Sequence, residues 1–235
     1  DGAVVSDAEL CDNCFHCVDI CPHGAQKRYG RVMTVSQVVE EISKDEIFYF
    51  HSGGGVTISG GECFTQPAFT ASILRECRLR GIDTAVETSL QAPWENIQQS
   101  LPFLNTMYVD IKHHDSKRHR ELTSIGNETI ISHLTDLDQS KLPFKLHLRI
   151  PLIPGINDDD ETLEALIQIG KSLKKIEEIE ILPYHRLGAS TYAFLGRHYH
   201  LEHLSTPSSE YLTERLKFIK MKCRSVPLKS GGNYL

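Results

Sequence analysis

Four cysteines lie close together near the beginning of the sequence, at Cys11, Cys14, Cys17 and Cys21, with Pro22 next. The spacing C-x2-C-x2-C-x3-C-P is one that wraps a tight backbone around an iron-sulfur cubane, with thiolates pointing inward. A structural zinc site is the alternative, but zinc usually takes two separated cysteine pairs. In runs of this kind the fourth cysteine can serve a second cluster, so the pattern predicts one or two 4Fe-4S clusters.

A second candidate site lies in the glycine-rich stretch His51–Glu62, which reads HSGGGVTISGGE. Glycines at the end of a strand let a ligand approach the backbone closely, and a carboxylate beside them suits an ammonium group. A plain glycine-rich turn is the alternative. The stretch lacks the Gly-Lys-Ser or Gly-Lys-Thr of a phosphate loop. Gly60, Gly61 and Glu62 are therefore candidates for binding the amino group of a ligand.

Polar side chains also stand at the ends of four later predicted strands. Asp110 and Lys112 are two residues apart in YVDIK, so on a strand their side chains point the same way, roughly 7 Å apart. This pair of opposite charges suits a zwitterionic ligand. The other strand-end groups are Glu87, Ser89, Arg149 and His185. Each alone has a surface or structural role as its alternative, but together they predict one shared site.

Strands and helices must alternate to bring these groups together. Helical periodicity and turn residues predict helices over 34–43, 67–80, 93–100, 115–123, 127–137, 158–173 and 208–220. Strand-forming runs predict strands over 46–50, 56–59, 84–88, 107–112, 145–150, 178–182 and 224–228. Strands separated by helices pair in parallel through right-handed crossovers, so we expect an α/β sheet or barrel with its site at the carboxyl ends of the strands.

The composition of the chain excludes several classes of function. It has 235 residues, 40% of them hydrophobic, and a formal charge of -6 with scattered basic residues, so we expect no nucleic-acid partner. No apolar stretch approaches the roughly 20 residues of a membrane span. The crowded cysteines and the lack of a secretory signal predict a reduced, cytoplasmic protein. The first residue is Asp1 rather than methionine, which fits a processed product as well as a partial sequence, so the beginning is not taken as the natural one.

Several motifs together carry a resemblance that covers essentially the whole chain: the cysteine run, SGGGVTISGGE, VETS, YVDIKHHDSKRHRELT, LRIPLIPGIND and LPYHRLGASTYAFLG. With them the sequence resembles the glycyl radical enzyme activating enzymes of the radical SAM superfamily, the group that contains pyruvate formate-lyase activase. The resemblance implies an α/β fold, a partial (β/α)6 radical SAM barrel that lacks its first strand. It also implies a small ferredoxin-like iron-sulfur insert at residues 1–30, with the partial barrel at residues 31–235.

The resemblance further implies a binding site for S-adenosylmethionine. The matching positions are Gly60, Gly61 and Glu62 for its amino group, Asp110 and Lys112 for its methionine end, and Arg149 and His185 along the same cofactor. A monovalent cation is bound in the activase at the positions that match Glu87, Thr88, Tyr108 and Asp110, although Glu87 replaces an aspartate. Cys63 replaces a common proline, and we expect a small buried side chain there rather than a reactive thiol.

One part of the family pattern does not occur in the sequence. The motif C-x3-C-x2-C, which binds the catalytic 4Fe-4S cluster, is found nowhere in the 235 residues, and the cysteine run has the spacing of the insert. We expect that motif and a further cysteine run to lie upstream of Asp1 in the intact protein. The chain would then be a fragment that is inactive by itself.

The activity that the resemblance implies is the reductive cleavage of S-adenosylmethionine, followed by abstraction of a hydrogen atom from a backbone glycine of a partner glycyl radical enzyme. An electron donor such as flavodoxin or ferredoxin is implied as well, and the insert clusters either relay electrons or serve structure and docking. Two alternatives stay open. One is a non-catalytic iron-sulfur protein for electron transfer or docking, and the other is a radical SAM enzyme with a small-molecule substrate.

Overall fold

The computed structural model describes residues 10–231, 233 and 234, and its central element is one sheet. The strands are β1 (Gly55–Ile58), β2 (Asp83–Thr88), β3 (Thr106–Asp110), β4 (Lys145–Leu152), β5 (Ile176–Pro183), β6 (Leu228–Ser230) and β7 (Asn233–Tyr234). Strands β1 to β6 pair in parallel in the order of the chain, and β7 pairs antiparallel with β6. The predicted α/β class with parallel strands is therefore confirmed.

Ten α-helices accompany the strands in the described part of the chain. They are α1 (His16–Asp19), α2 (Val35–Ser43), α3 (Glu46–Ser52), α4 (Pro67–Leu79), α5 (Trp94–Gln98), α6 (Ser116–Thr123), α7 (Glu128–Gln139), α8 (Asp160–Ser172), α9 (Ala189–Phe194) and α10 (Ser209–Lys222). Right-handed crossovers are the rule between neighbouring parallel strands, and they place connecting helices on one face of a sheet. Within the unit of the sheet these helices are α4, α5, α6, α7, α8 and α10. The main hydrophobic core lies between that face and the helices.

Helix α8 illustrates how the sequence produces this packing. The side chain of Asp159 accepts a hydrogen bond from the backbone N–H of Thr162 and so caps the first turn. Leu163, Leu166 and Ile167 recur at helical spacing and are fully buried. At Gly170 a Cβ atom would come within 2.7 Å of the Ile179 side chain, so glycine lets α8 lie close against β5.

The strand predicted over 46–50 is wrong, because these residues form helix α3. The run EIFYF has the aromatic and β-branched residues of a strand, but only Tyr49 packs against the small hydrophobic cluster beneath it. Phe48 and Phe50 lie 67% and 87% exposed. A helix buries one side chain of this run on α2 and α4, and Gly53 ends it in the left-handed conformation with φ 66°.

The last parallel strand lies further along the chain than predicted, at Leu228–Ser230 instead of 224–228. Pro227 has no N–H to donate to a sheet, and its carbonyl accepts the first bond of this pairing, from the backbone N–H of Ile179. Val226, which lies within the predicted range, packs against the core from the preceding loop.

The chain divides into two compact units. One comprises the described residues of Asp1–Thr34 together with His185–Thr206, and it contains the cysteine run. The other comprises Val35–Tyr184 and the described residues of Pro207–Leu235, and it contains the sheet. The sequence-based division after residue 30 stays a prediction. Over the described residues, no helix combines the length and the apolar character that a bilayer span requires.

Candidate functional site

One face of the sheet is apolar and the other is lined with charged and polar side chains. Alternate residues of a strand point to opposite faces, so Met107 and Val109 enter the core while Tyr108 and Asp110 point away from it. The pairing registers place Asp110 beside Arg149 and Arg149 beside Glu180. We call the resulting surface the polar face, and its residues are Glu87, Tyr108, Asp110, His147, Arg149, Glu178 and Glu180.

Arg149 stands at the centre of the polar face among three carboxylates. Its Nη1 lies 2.7 Å from Oε1 of Glu87, and its Nε lies 3.7 Å from Oδ1 of Asp110 and 3.7 Å from Oε2 of Glu180. The arginine side chain is only 17% exposed. Within the described residues its buried Nε has no hydrogen-bond partner. The cluster therefore holds an unused donor next to an excess of negative charge.

Sequence reasoning identified Arg149 and Asp110 but missed Glu180 and the ion pair of Glu87. The alternation Glu178-Ile179-Glu180-Ile181 carried the missing signal, because it places two carboxylates on the face opposite to the core. Nearer the amino ends of β4 and β5, Oε1 of Glu178 lies 3.4 Å from Nδ1 of His147. Burial lowers the pKa of His147, although the Glu178 carboxylate acts in the opposite direction.

Asp110 and Lys112 point the same way, as their spacing predicts. Nζ of Lys112 lies 3.4 Å from Oδ2 of Asp110, and both side chains are about one third exposed, at 38% and 34%. Between them, Ile111 is fully buried, and its N–H donates to the carbonyl of Arg149. The pair thus presents an ammonium and a carboxylate to solvent at the carboxyl end of β3.

Glu62 follows β1 across the glycine turn, and four strong donors hold its carboxylate. Oε1 accepts from the hydroxyl of Thr88 at 2.8 Å and from the backbone N–H of Phe64 at 3.2 Å. Oε2 accepts from the N–H and the hydroxyl of Ser89, at 3.0 and 2.7 Å. The carboxylate is therefore fixed at the carboxyl end of β2, the strand that carries Glu87.

The turn before Glu62 depends on glycine. Gly60 has φ 124°, a backbone conformation that residues other than glycine rarely adopt. A Cβ atom at Gly60 or Gly61 would meet no other atom within 4 Å, so the space beside this backbone is open. Ser59, just before the turn, donates its hydroxyl to Oε2 of Glu87 at 2.9 Å. The glycine turn and the carboxylates around Arg149 thus belong to one connected network.

The predicted monovalent cation site stays a prediction. Its carboxylate at Glu87 pairs with Arg149 and accepts from Ser59. Thr88 belongs to the apolar face of β2, is 4% exposed and donates to Glu62. A cation at Glu87 would therefore have to compete with the guanidinium of Arg149.

The four clustered cysteines lie in the unit without the sheet, and none of the four forms a disulfide within the described residues. A backbone N–H of Ala25 lies 3.2 Å from Sγ of Cys21. Backbone hydrogen bonds, first from Gln26 and then from His23 and Ala25, lower the pKa of Cys21, which favours the thiolate that binds metals. Over the described residues, no three side chains of the types His, Cys, Asp and Glu come together as a metal site. Four cysteine thiolates are suitable ligands for an iron-sulfur cluster. Their sulfur atoms are not gathered around one point in the described residues.

His185 also belongs to the unit that contains the cysteines. It is exposed, and its Nδ1 lies 3.4 Å from the backbone N–H of Leu187. Its assignment to the shared site therefore stays a prediction. Glu62, Asp110, Lys112 and Arg149 all belong to the unit with the sheet.

Cys63 is buried directly behind Glu62. Burial raises the pKa of its thiol to about 12, and the Glu62 charge adds to the effect. We predict that a small alkylating reagent at mildly alkaline pH modifies the exposed Cys11, Cys14 and Cys17 in the folded metal-free chain and leaves Cys63 unmodified until denaturant is added. Peptide mass spectrometry measures this, and modification of Cys63 at the rate of Cys14 would contradict it.

A cavity of about 730 Å³ lies elsewhere, against the carboxyl end of α10 and the start of β6. It is lined by Lys217, Lys220, Met221, Cys223, Arg224, Val226, Pro227 and Leu228. In parallel sheets ligands bind beyond the carboxyl ends of the strands, and this cavity lies at the amino end of β6. The polar face and the glycine turn lie at the carboxyl ends of the strands, and they are therefore the better candidate for a ligand site.

The chain is similar in sequence to proteins of known family. The family model described as the radical SAM superfamily matches residues 11–167. The chain is 41% identical over 199 residues to the isethionate sulfite-lyase activating enzyme of Oleidesulfovibrio alaskensis, which covers 84% of this chain and 63% of the relative. It is 37% identical to the trans-4-hydroxy-L-proline dehydratase activating enzyme of Clostridioides difficile, over 90% of this chain and 80% of that one.

A solved structure has the same fold. It is a domain of the pyruvate-formate lyase-activating enzyme from Bacteroides vulgatus, with 28% identity and a TM-score of 0.61, and the match covers 76% of this chain and 99% of that one. The chain spans less than two thirds of the length of the isethionate sulfite-lyase activating enzyme that it matches.

Proposed function

Because the chain belongs to the radical SAM superfamily and, within it, to the glycyl radical enzyme activating enzymes, we propose that its polar face and glycine turn bind S-adenosylmethionine. When bound in the intact enzyme, this cofactor would accept one electron from a reduced 4Fe-4S cluster and lose methionine as a carbon-sulfur bond breaks. The carbon radical so formed would remove a hydrogen atom from a backbone glycine of a glycyl radical enzyme. The observation that carries the proposal is the connected set of opposite charges at the carboxyl ends of β1 to β5.

Each part of the site has a proposed role toward the cofactor. The carboxylate of Glu62 and the open backbone at Gly60 and Gly61 receive the ammonium group. Lys112 offers an ammonium to the cofactor's carboxylate, and Asp110 holds Lys112 in place. Arg149, held among its three carboxylates, is proposed to line the same cofactor. His185 completes the proposed set. A positive sulfonium suits the excess of carboxylates around Arg149.

The cysteine run is proposed to hold one or two 4Fe-4S clusters in a ferredoxin-like insert, with Cys11, Cys14, Cys17 and Cys21 as ligands. Such clusters relay electrons from a donor such as flavodoxin or ferredoxin, or they serve structure and docking. The sheet itself is proposed to be part of a (β/α)6 barrel, which the sequential parallel order of its strands supports. The partner is proposed to be a glycyl radical enzyme.

Reconstitution with iron and sulfide under anaerobic conditions tests the proposed clusters. We predict that the 235-residue chain binds iron and sulfide with the visible absorption of iron-sulfur clusters, because the run supplies thiolates at cluster spacing. Cys14→Ala lowers the iron content, whereas the matched variant Cys77→Ala, which removes a buried thiol outside the run, leaves it unchanged. Zinc retained in place of iron would contradict the assignment.

The same reconstituted chain is predicted not to cleave S-adenosylmethionine. The reason is that its 235 residues contain no C-x3-C-x2-C motif for a catalytic cluster. The measurement is the release of 5'-deoxyadenosine after chemical reduction, followed by chromatography. Release at the rate of a complete activating enzyme would contradict this part of the proposal, and the binding of S-adenosylmethionine would remain a separate test.

A further inference from the structure

A buried asparagine joins the ends of the two strands that carry Lys112 and Arg149. The side chain of Asn157 is 0% exposed. Its Nδ2 donates to the carbonyl of Lys112 at 2.9 Å and to the carbonyl of Pro151 at 2.6 Å, and its Oδ1 accepts from the N–H of Ile153 at 2.8 Å. One side chain thus satisfies three backbone groups that the sheet leaves free where β3 and β4 end.

A second buried asparagine holds the next two residues of the same loop. Nδ2 of Asn127 donates to the carbonyls of His113 and His114, at 3.0 and 2.7 Å. Asn127 occupies the N-cap position of α7, where asparagine usually caps the helix with its own side chain. Here it makes no such capping bond. The side chain is used instead to fix the loop after β3, and it is 4% exposed.

Three consecutive carbonyls, from Lys112 to His114, are therefore each bound by a buried side-chain amide. The segment has no regular secondary structure that would fix its backbone otherwise. Lysine has a long side chain and loses rotamer freedom when it binds a ligand. A fixed backbone removes one source of disorder, and it sets where the ammonium of Lys112 stands relative to Asp110 and Arg149.

We infer that Asn157, with the support of Asn127, is a positioning residue that holds Lys112 in place for the carboxylate of S-adenosylmethionine. This inference rests on the proposed function, because it takes Lys112 as a contact of the cofactor. Asn157 does not itself face the ligand. Its effect on binding should therefore be exerted through Lys112 and vanish when the ammonium of Lys112 is absent.

A double-mutant cycle tests this dependence, with affinity for S-adenosylmethionine measured by calorimetry on the 235-residue chain. Asn157→Ser and Lys112→Met are each expected to weaken binding about tenfold, and the double variant is expected to bind no worse than Lys112→Met alone. Asn127→Ser is the second variant. Serine is a good N-cap, so it preserves α7 while it removes the two loop contacts, and the same loss of additivity is expected.

Asn105→Leu is the matched control. Its Oδ1 accepts from Thr84 and Arg78 at the opposite end of the sheet, so the variant loses partly buried hydrogen bonds without touching the loop. We expect its melting temperature to fall and its affinity to stay within twofold of the wild type. Fully additive losses in the cycle, or unchanged affinity in both folded asparagine variants, would overturn the inference. A wild-type chain that does not bind S-adenosylmethionine would instead overturn the proposed function itself.

Discussion

Replacing Arg149 by methionine is expected to destabilise the fold by about 2 kcal/mol near neutral pH, because three carboxylates would lose their shared cation. Glu180 is only 12% exposed, so its charge is the most costly to leave alone. The expected loss is smaller than for a fully buried pair, since Glu87 and Asp110 are 39% and 34% exposed and water screens their repulsion. Urea unfolding measures it, followed by the fluorescence of Trp94, the one tryptophan of the sequence.

Two further variants separate charge from side-chain packing. Arg149→Met combined with Glu180→Gln is expected to recover part of the lost stability, because it removes a carboxylate that no longer has a partner. Lys112→Met, which removes a more exposed cation, is expected to cost less than about 1 kcal/mol. If the double variant is less stable than Arg149→Met, the three carboxylates do not depend on the arginine in the way described.

The variant Glu62→Gln is expected to weaken the binding of S-adenosylmethionine on the order of thirtyfold, because an ammonium loses its charged acceptor. The amide also cannot keep the present contacts. Each carboxylate oxygen accepts from at least two donors, so an NH2 group in either position would face donors that it cannot satisfy. We therefore also expect a stability loss of about 1 kcal/mol.

Glu76→Gln on the exposed side of α4 is the matched control, since it removes the same charge from a surface pair with Arg75. Its affinity is expected to stay within about twofold of the wild type. Titration calorimetry with S-adenosylmethionine gives both values. Equal affinities for Glu62→Gln and the wild type would remove Glu62 from the proposed site, whatever the state of the remaining residues.

The strands and their polar ends could be predicted because they depend on local patterns. Alternation placed Asp110 and Arg149 opposite to the core, and the spacing of Asp110 and Lys112 predicted a pair that the structure contains. Helix α3 could not be predicted, because its aromatic residues favour a strand by composition. What decides it is the tertiary contact of Tyr49 with the cluster under α2 and α4.

The side-chain interactions between strands could not be predicted from the sequence. Glu87 pairs with Arg149, 62 positions away in the printed sequence, only because the register aligns three strands. Asn157 binds the carbonyl of Lys112 across 45 positions, through a loop whose conformation no periodicity reveals. The residue types of a loop do not show which of its backbone carbonyls need a side-chain donor. The residues that bind these carbonyls can therefore be identified only from the three-dimensional structure.

Mapping the bound cofactor by nuclear magnetic resonance on the isotope-labelled chain tests the central claim most directly. Addition of S-adenosylmethionine is predicted to shift the amide signals of Gly60, Gly61, Glu62, Ile111, Lys112 and Arg149 together, with a single affinity. Signals from the cavity beside α10, at Lys217 and Cys223, are predicted to stay in place. Shifts confined to that cavity, with the glycine turn and the polar face unchanged, would contradict the assignment of the site.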